Sequence, residues 1–446
     1  MILGITKVMD IRSIVKSLDN CPCGAEHKST LQNVEIGHGY SARVGEFLDK
    51  YNFPKNILLV ADNNTIKASP GVEKSLIERG FNLEYLIYDD LRIADIKYAK
   101  EVSESSRKCD AVLSVGTGSL NDICRYGAHL AIQNGHKLSF AIFATAPSMD
   151  GFASASAPIT ENGFKTTRQA IQPDVIIADT AILASSPDYL KSAGFGDMLA
   201  KYIALTDWRI SNLLTGEHYC QSIANLTREA LKRITSLAQK VTANDEETAE
   251  AIMESLIFTG IAMALANSVR PASGAEHMIS HYWEMKKAEK GEISDFHGKK
   301  VGIATLYLTR LYHALADIEQ AKCKSYKIDF DNLKSVIGDN FIDDVFKMNS
   351  PSVTDNIDPK LIENNWQNIR KIVKEELPTP EQMLHLMKLA NCATTPLEAD
   401  IDNDLARDAM IYHPYLRHRL TLSHLVSLIK GADNVRSNIL KEYYNI

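Results

Sequence analysis

The chain has 446 residues, of which 45% are hydrophobic and 24% charged, with a formal net charge of −7 at pH 7. That length predicts two domains rather than one core, and the acidic balance argues against a nucleic-acid-binding surface. No stretch approaches the run of about 18 apolar residues that marks a membrane span, and the N-terminal MILGITKVMDIRSIV lacks the apolar centre of a signal peptide.

The seven cysteines are an odd number, scattered except for Cys21 and Cys23. They suit a reducing cytoplasm better than a disulfide framework. Cys21, Cys23 and His27 in CPCGAEHK have the residue types of a metal clip. No second half-site lies near them and a CxC spacing strains a tetrahedral site, so a surface turn is expected there.

Next come short apolar runs at NILLVAD (56–62), LEYLIYD (83–89), DAVLSVG (110–116), FAIFATAP (140–147) and DVIIAD (174–179). They read as strands, because they are short, rich in β-branched or aromatic residues, and bounded by Gly, Pro, Asp or Asn. Helix-periodic segments separate them, which predicts βαβ units and a parallel sheet with ligands at the strands' carboxyl ends. Before the last run, an Asn-Gly pair between ASASAPIT and FKTTRQAI predicts a hairpin. From about Ala184 onward the segments are long and helix-periodic. The expected architecture is an α/β nucleotide-binding domain over 1–184 and an all-helical domain over 185–446.

Four places carry candidate chemistry. In SVGTGSLNDICRYG a strand runs into Gly116-Thr117-Gly118-Ser119 and a helix opens near Leu120. Such a turn lets backbone N–H groups approach a phosphate, although the third glycine of the usual fingerprint is absent, and a plain strand–helix turn has the same letters. In ATAPSMDGFASASAPI, Thr145, Ser148 and Asp150 crowd a strand's carboxyl end; they could bind a cofactor or simply form a turn. Asp62 could meet an adenosine ribose or cap the next helix. Asp197 in GFGDMLAK is a carboxylate in a helix that reads as buried, and His277, His281 and His297 follow at SGAEHMISH and DFHGKK. One carboxylate with two imidazoles is a donor set for Zn²⁺ or a similar ion; a hydrogen-bonded histidine pair in a polar cleft is the alternative.

GTGSLND, TAPSMDGFAS, GFGDMLAK, SGAEHMISH and HGKKVGIAT occur in that order. Together they resemble the glycerol-1-phosphate dehydrogenases, a branch of the superfamily that holds iron-containing alcohol dehydrogenases, glycerol dehydrogenases and dehydroquinate synthases. CPCGAEHK resembles the bacterial branch found in arabinose operons. The resemblance runs from about residue 20 to 320, and the tail beyond carries no recognisable motif.

The resemblance implies NAD(H) or NADP(H) against Gly118, Ser119, Leu120, Asn121, Asp122, Thr145, Ala146, Pro147 and Ser148, with Ser154 nearby and Asp62 at the adenosine ribose. It implies a divalent metal, nickel or zinc, on Asp197, His277 and His297, with Asp150, His281 and Asp197 as the catalytic residues beside the substrate. The implied reaction is reduction of dihydroxyacetone phosphate to sn-glycerol 1-phosphate for phospholipid synthesis, by a cytoplasmic homodimer or other homo-oligomer. A polyol dehydrogenase and, further off, a dehydroquinate synthase-type lyase are the alternatives. The family's Gly-Gly-Gly stretch is Gly116-Thr117-Gly118 here.

Overall fold

The computed structural model describes residues 11–444. Residues 1–10, which belong to the stretch read against a signal peptide, and the last two residues of the helical tail lie outside the described residues. The chain forms two compact units. The first takes residues up to Met198 together with Asn225–Val269, and the second takes Leu199–Ala224 with Arg270 onward. The sequence reading divides the chain at 184; by packing, the first unit extends further and also recovers residues 225–269 after the chain has left it.

Among the described residues of the first unit eight strands occur, β1 (Asn33–Gly37), β2 (Asn56–Asp62), β3 (Asn82–Tyr88), β4 (Ala111–Gly116), β5 (Ser139–Ala144), β6 (Ser156–Glu161), β7 (Phe164–Gln169) and β8 (Val175–Asp179). Six of them make one sheet in the order β1-β8-β5-β4-β2-β3, and every neighbouring pair is parallel. The α/β expectation therefore holds. Residues of β2, β4, β5 and β8 are buried on both faces; Ile57, Leu59, Leu113, Val115, Phe143 and Ile177 share one core with Phe47 and Leu76. Double-sided burial explains why these strands read as continuous apolar runs rather than alternating ones. Each such side chain contributes roughly 1.5–3 kcal/mol.

The Asn-Gly hairpin is β6–β7, paired antiparallel from Ser156↔Gln169 to Glu161↔Phe164. Asn162 and Gly163 have φ of 52° and 78°, the two left-handed residues that this tight turn needs. Helix Glu246–Ala266 is long and apolar enough to cross a membrane by composition alone, but 78% of its most apolar window is buried inside the protein. It packs on helix Thr180–Ser185 and on the turn Gly151–Ala153, as a core helix does.

The second unit is helical, as expected. Helices Ala275–Glu289 and His297–Ala316 pack against each other, and helices Pro359–Glu376, Pro380–Leu389, Asn403–Tyr412 and Ala432–Tyr444 surround them. Buried Asp207 organises the start of the first of these. It accepts hydrogen bonds from the Ala275 and Leu422 N–H groups and the Tyr312 hydroxyl, each at 2.9 Å.

Two buried histidines set an acid limit on this unit. Burial pushes both His413 and His424 down to about 3. Their folded pKa lies below the unfolded value, so their contribution is complete above about pH 6.5 and is lost as pH falls toward 3, at about 1.4 kcal/mol per pH unit per ring. The Nδ1 of His424 accepts from the Thr421 N–H at 3.2 Å, and a proton there would break that cap. We expect His424→Asn, which keeps an acceptor, to flatten the acid limb of urea-unfolding stability between pH 6.5 and 4. An unchanged slope would exclude His424 as its source.

Candidate cofactor and metal sites

The phosphate-type turn forms where the sequence places it, in the first unit. Strand β4 ends at Gly116, and helix Ser119–Gln133 begins immediately after Gly118, whose φ and ψ are 52° and −126°. An L side chain rarely adopts that backbone, while the space beside Gly118 is open to 4 Å. The turn thus exposes the first N–H groups of a 15-residue helix, with the partial positive charge of its N-terminus. At Gly116 a Cβ would stand 2.4 Å from Leu120, so Leu120 packs into the turn. Asn121 is fully buried; its Oδ1 accepts from the Ser114 hydroxyl at 2.6 Å, whereas its Nδ2 has no partner. A buried amide donor beside such a turn fits a polar cofactor. Asp122 is held by Arg125 at 3.4 Å.

The second candidate loop, after β5, is joined to the first: the Thr117 and Ser148 hydroxyls lie 2.7 Å apart, and the Thr145 N–H donates to the Gly116 carbonyl at 3.3 Å. Thr117, which replaces a glycine of the family pattern, therefore has work that glycine could not do. Thr145, Ala146, Pro147 and Ser148 are buried. Ser154 accepts from the N–H of Ser156, the first residue of β6, and Arg125 fixes the same segment through the Phe152 carbonyl at 2.8 Å. Asp62 realises the capping alternative. Its Oδ1 accepts from the Asn64 and Thr65 N–H groups at 2.9 and 2.8 Å, in a complete capping box.

Asp150 and Asp197 also meet in this unit. The Asp150 N–H donates to Asp197 Oδ2 at 3.0 Å, and both residues are buried. Asp197 lies on the unbroken helix Asp188–Thr215, two residues before Leu199, where the chain enters the second unit. One turn earlier, a Cβ on Gly194 would stand 1.9 Å from the Pro147 carbonyl oxygen. Only glycine lets this helix sit against the candidate cofactor loop. We expect Gly194→Ala to destabilise the protein by about 1–3 kcal/mol and to weaken NADH binding, read by thermal unfolding and fluorescence titration. Wild-type values in both would show that helix and loop part without cost.

In the second unit the three histidines converge. Ring centroids are 5.2 Å apart for His277 and His297, 5.8 Å for His281 and His297, and 6.3 Å for His277 and His281. Imidazole nitrogens of His277 and His297 lie within 4.8 Å of each other. His277 Nδ1 is 2.7 Å from Glu276 Oε1, and His297 Nδ1 is 3.2 Å from Glu284 Oε1. A carboxylate fixes the proton on Nδ1 and leaves Nε2 with its lone pair, the state in which imidazole binds a metal. The residues thus fit a divalent ion. Glu276 is fully buried; burial pushes it up to about 7, while N–H bonds and the nearby Lys201 and Arg419 charges oppose the rise. Gly274 makes room for it, since a Cβ there would come within 2.7 Å of Glu276 Oε2 and 2.8 Å of Asp207.

His281 has a different environment. Arg417 Nη2 lies 3.2 Å from His281 Nδ1. A guanidinium can only donate, so Nδ1 is the acceptor and the ring's own proton sits on Nε2. That makes His281 a hydrogen-bond donor and not a ready ligand. Glu284, which could join His281 and His297 in a second donor set, already receives the buried Lys300 ammonium at 2.8 Å. The geometry therefore separates His277 and His297 as ligand-ready rings from His281 as a donor.

Sequence reasoning missed Glu276, Glu284, Arg417 and Arg419. Loss of hydration lowers the Arg417 and Arg419 guanidinium groups to about 10 and about 9, and mutual repulsion with Arg270 adds to the fall at Arg419. Both remain cationic near neutrality. Arg270 is neutralised by Glu217; Arg419 donates to the Ser273 hydroxyl at 3.0 Å and its buried Nε has no partner. Crowded, poorly hydrated guanidinium groups, with Arg417 beside His281, favour an anion.

Comparison with known proteins accords with this arrangement. The family model described as iron-containing alcohol dehydrogenase matches residues 35–187. The chain is 30% identical to a glycerol-1-phosphate dehydrogenase [NAD(P)+] of Bacillus licheniformis over 418 residues, 92% of each chain. It is 38% identical to the protein of that name from Bacillus subtilis over 269 residues, 59% of this chain and 67% of the other. Among solved structures it resembles the NADH-dependent butanol dehydrogenase A of Thermotoga maritima, with a TM-score of 0.59 at 15% identity over 94% of this chain and 98% of that one. That last likeness is one of fold. With a relative matched along nearly its whole length and the ligand-ready histidines in place, the chain belongs to the glycerol-1-phosphate dehydrogenase family within the iron-containing alcohol dehydrogenase superfamily.

Proposed function

We propose that the protein reversibly reduces dihydroxyacetone phosphate to sn-glycerol 1-phosphate with NADH or NADPH. The observation that carries the phosphorylated substrate is the Arg417 guanidinium set against His281, in a chain that matches a glycerol-1-phosphate dehydrogenase over 92% of its length. Asp197, His277 and His297 would hold the divalent ion, nickel or zinc, since imidazole and carboxylate suit both. The nicotinamide cofactor would lie along Gly118–Asp122 and Thr145–Ser148, with Ser154 and Asp62 at its margins.

When bound, the ion supplies Lewis acidity at the substrate ketone and the nicotinamide supplies the reducing equivalents. His281 holds its proton on Nε2 and directs it at the substrate oxygen. The cationic Arg417 at Nδ1 opposes a charged ring, so His281 acts as an orienting donor while the net proton for the alcohol comes from solvent. Arg417 and Arg419 hold the phosphate, and Asp150, anchored to Asp197, accepts from a substrate hydroxyl. A cytoplasmic homodimer that provides glycerol 1-phosphate for lipid backbones completes the proposal.

The test follows NADH and NADPH oxidation after chelation, with nickel or zinc restored singly. Turnover with dihydroxyacetone phosphate, and little with dihydroxyacetone, supports the proposal. No rate under either metal removes it, and preference for dihydroxyacetone would establish a polyol dehydrogenase instead.

A further inference from the structure

The motif CPCGAEHK, expected to be a surface turn, is built more deeply than that. The Cys21 carbonyl accepts the Gly24 N–H at 3.0 Å, closing a four-residue turn, and Gly24 has a φ of 78°. The turn brings the two thiols to the same side. The sulfur atoms of Cys21 and Cys23 and an imidazole nitrogen of His27 all lie within 4.8 Å of one another. A tetrahedral zinc ion with Zn–S bonds of about 2.3 Å holds its sulfurs roughly 3.8 Å apart, a spacing that small side-chain rotations reach.

His27 supplies the second observation. It is buried, and its Nδ1 lies 2.8 Å from the Leu265 carbonyl oxygen, near the C-terminus of helix Glu246–Ala266. A carbonyl only accepts, so the proton is on Nδ1. The Nε2 lone pair then faces Cys23 Sγ at 3.2 Å. A backbone carbonyl that fixes the tautomer of a ligating histidine is the usual outer support of a zinc site. The Ala25 N–H also points at Cys23 Sγ, at 3.5 Å, and favours a thiolate there. The alternative is a neutral Cys23 thiol donating to the imidazole, which would give no thiolate-to-metal bond.

We propose that Cys21, Cys23 and His27 form a structural zinc site, separate from the metal-dependent centre, that fastens the N-terminal segment to the end of helix Glu246–Ala266. Binding converts two thiols to thiolates and releases two protons, leaving the Zn²⁺ charge balanced. A further thiolate or water fills the fourth position. The family's substrate chemistry needs no thiolate, so the proposed role is to hold the fold.

The test is made on the full chain carrying His277→Ala, which removes a ligand of the other centre. Elemental analysis should find one zinc per chain in that variant, and none once Cys21→Ser and Cys23→Ser are added. Cobalt-loaded His277→Ala protein should show a thiolate-to-cobalt charge-transfer band in the near ultraviolet, which a site of nitrogen and oxygen donors cannot produce. His27→Cys should keep the zinc and strengthen the band. Equal zinc with and without the two serines, or cobalt-loaded protein without the band, overturns the proposal. Should the serine variants fail to fold, the cobalt spectrum of His277→Ala alone decides. That spectrum is independent of turnover with any substrate, so a failed function and a failed zinc site remain distinguishable.

Discussion

His277→Ala is expected to lower turnover at least about a thousandfold, equivalent to roughly 4 kcal/mol of transition-state stabilisation. The loss should accompany loss of the chelator-sensitive metal, measured by elemental analysis, with far-ultraviolet circular dichroism unchanged. A smaller graded effect is expected one residue earlier. Glu276 receives the His277 Nδ1 proton at 2.7 Å and also the Gly274 N–H at 2.7 Å, so it fixes both the ring and the start of the helix. Glu276→Gln keeps the shape but weakens the hold on the ring, and should cost about 10–100-fold in metal affinity. Saturating metal should then rescue Glu276→Gln but not His277→Ala. If neither variant changes metal binding, His277 is not a ligand.

Arg417→Ala is expected to reduce kcat/KM for dihydroxyacetone phosphate by about 100-fold, the value of a charge-assisted contact of roughly 2.7 kcal/mol. The residual rate with dihydroxyacetone should fall far less, because that substrate has no phosphate to lose. Arg417→Lys should recover only part of the loss, since an ammonium lacks the planar fork. The control on this reading is the split between substrates. Equal losses on both would mean that Arg417 acts only through His281 Nδ1, as a positioning residue, and that the phosphate binds elsewhere.

Much of the fold was legible because burial writes itself into composition. Strands β2, β4, β5 and β8 sit inside the sheet with both faces covered, and their runs of Ile, Leu, Val and Phe are recognisable without neighbours. Strand β1, NVEIG, escaped notice because it is five residues long, only partly buried and carries Asn and Glu. The hairpin was legible for a local reason: Asn162-Gly163 is the turn's own chemistry.

The candidate site was legible where its residues lie in short motifs and hidden where they do not. His277, His281 and His297 sit within about three turns and a loop of one another, whereas Arg417 reaches His281 across 136 residues of sequence. No periodicity announces such a pairing, and RHRL reads as any basic surface turn. Glu276 and Glu284 were visible as letters but not as partners, because acids on a helix ordinarily face water. Asp62 shows the reverse case: its cap reading was available from the sequence, and the structure uses Oδ1 for that purpose.

The interrupted course of the first unit bears on how the protein is made. Helix Glu246–Ala266, which covers the Gly151–Ala153 turn beside Asp150, belongs to a segment translated after the chain has already spent residues 199–224 in the other unit. A ribosome that has released only the sheet offers an α/β half with its candidate cofactor loop uncovered and apolar surface waiting for a partner. Such a half-finished body is prone to aggregate. Synthesis beyond Val269 is therefore the point at which the first unit can close, and truncations ending at 184 or 198 should emerge as unstable fragments rather than a free-standing nucleotide-binding domain.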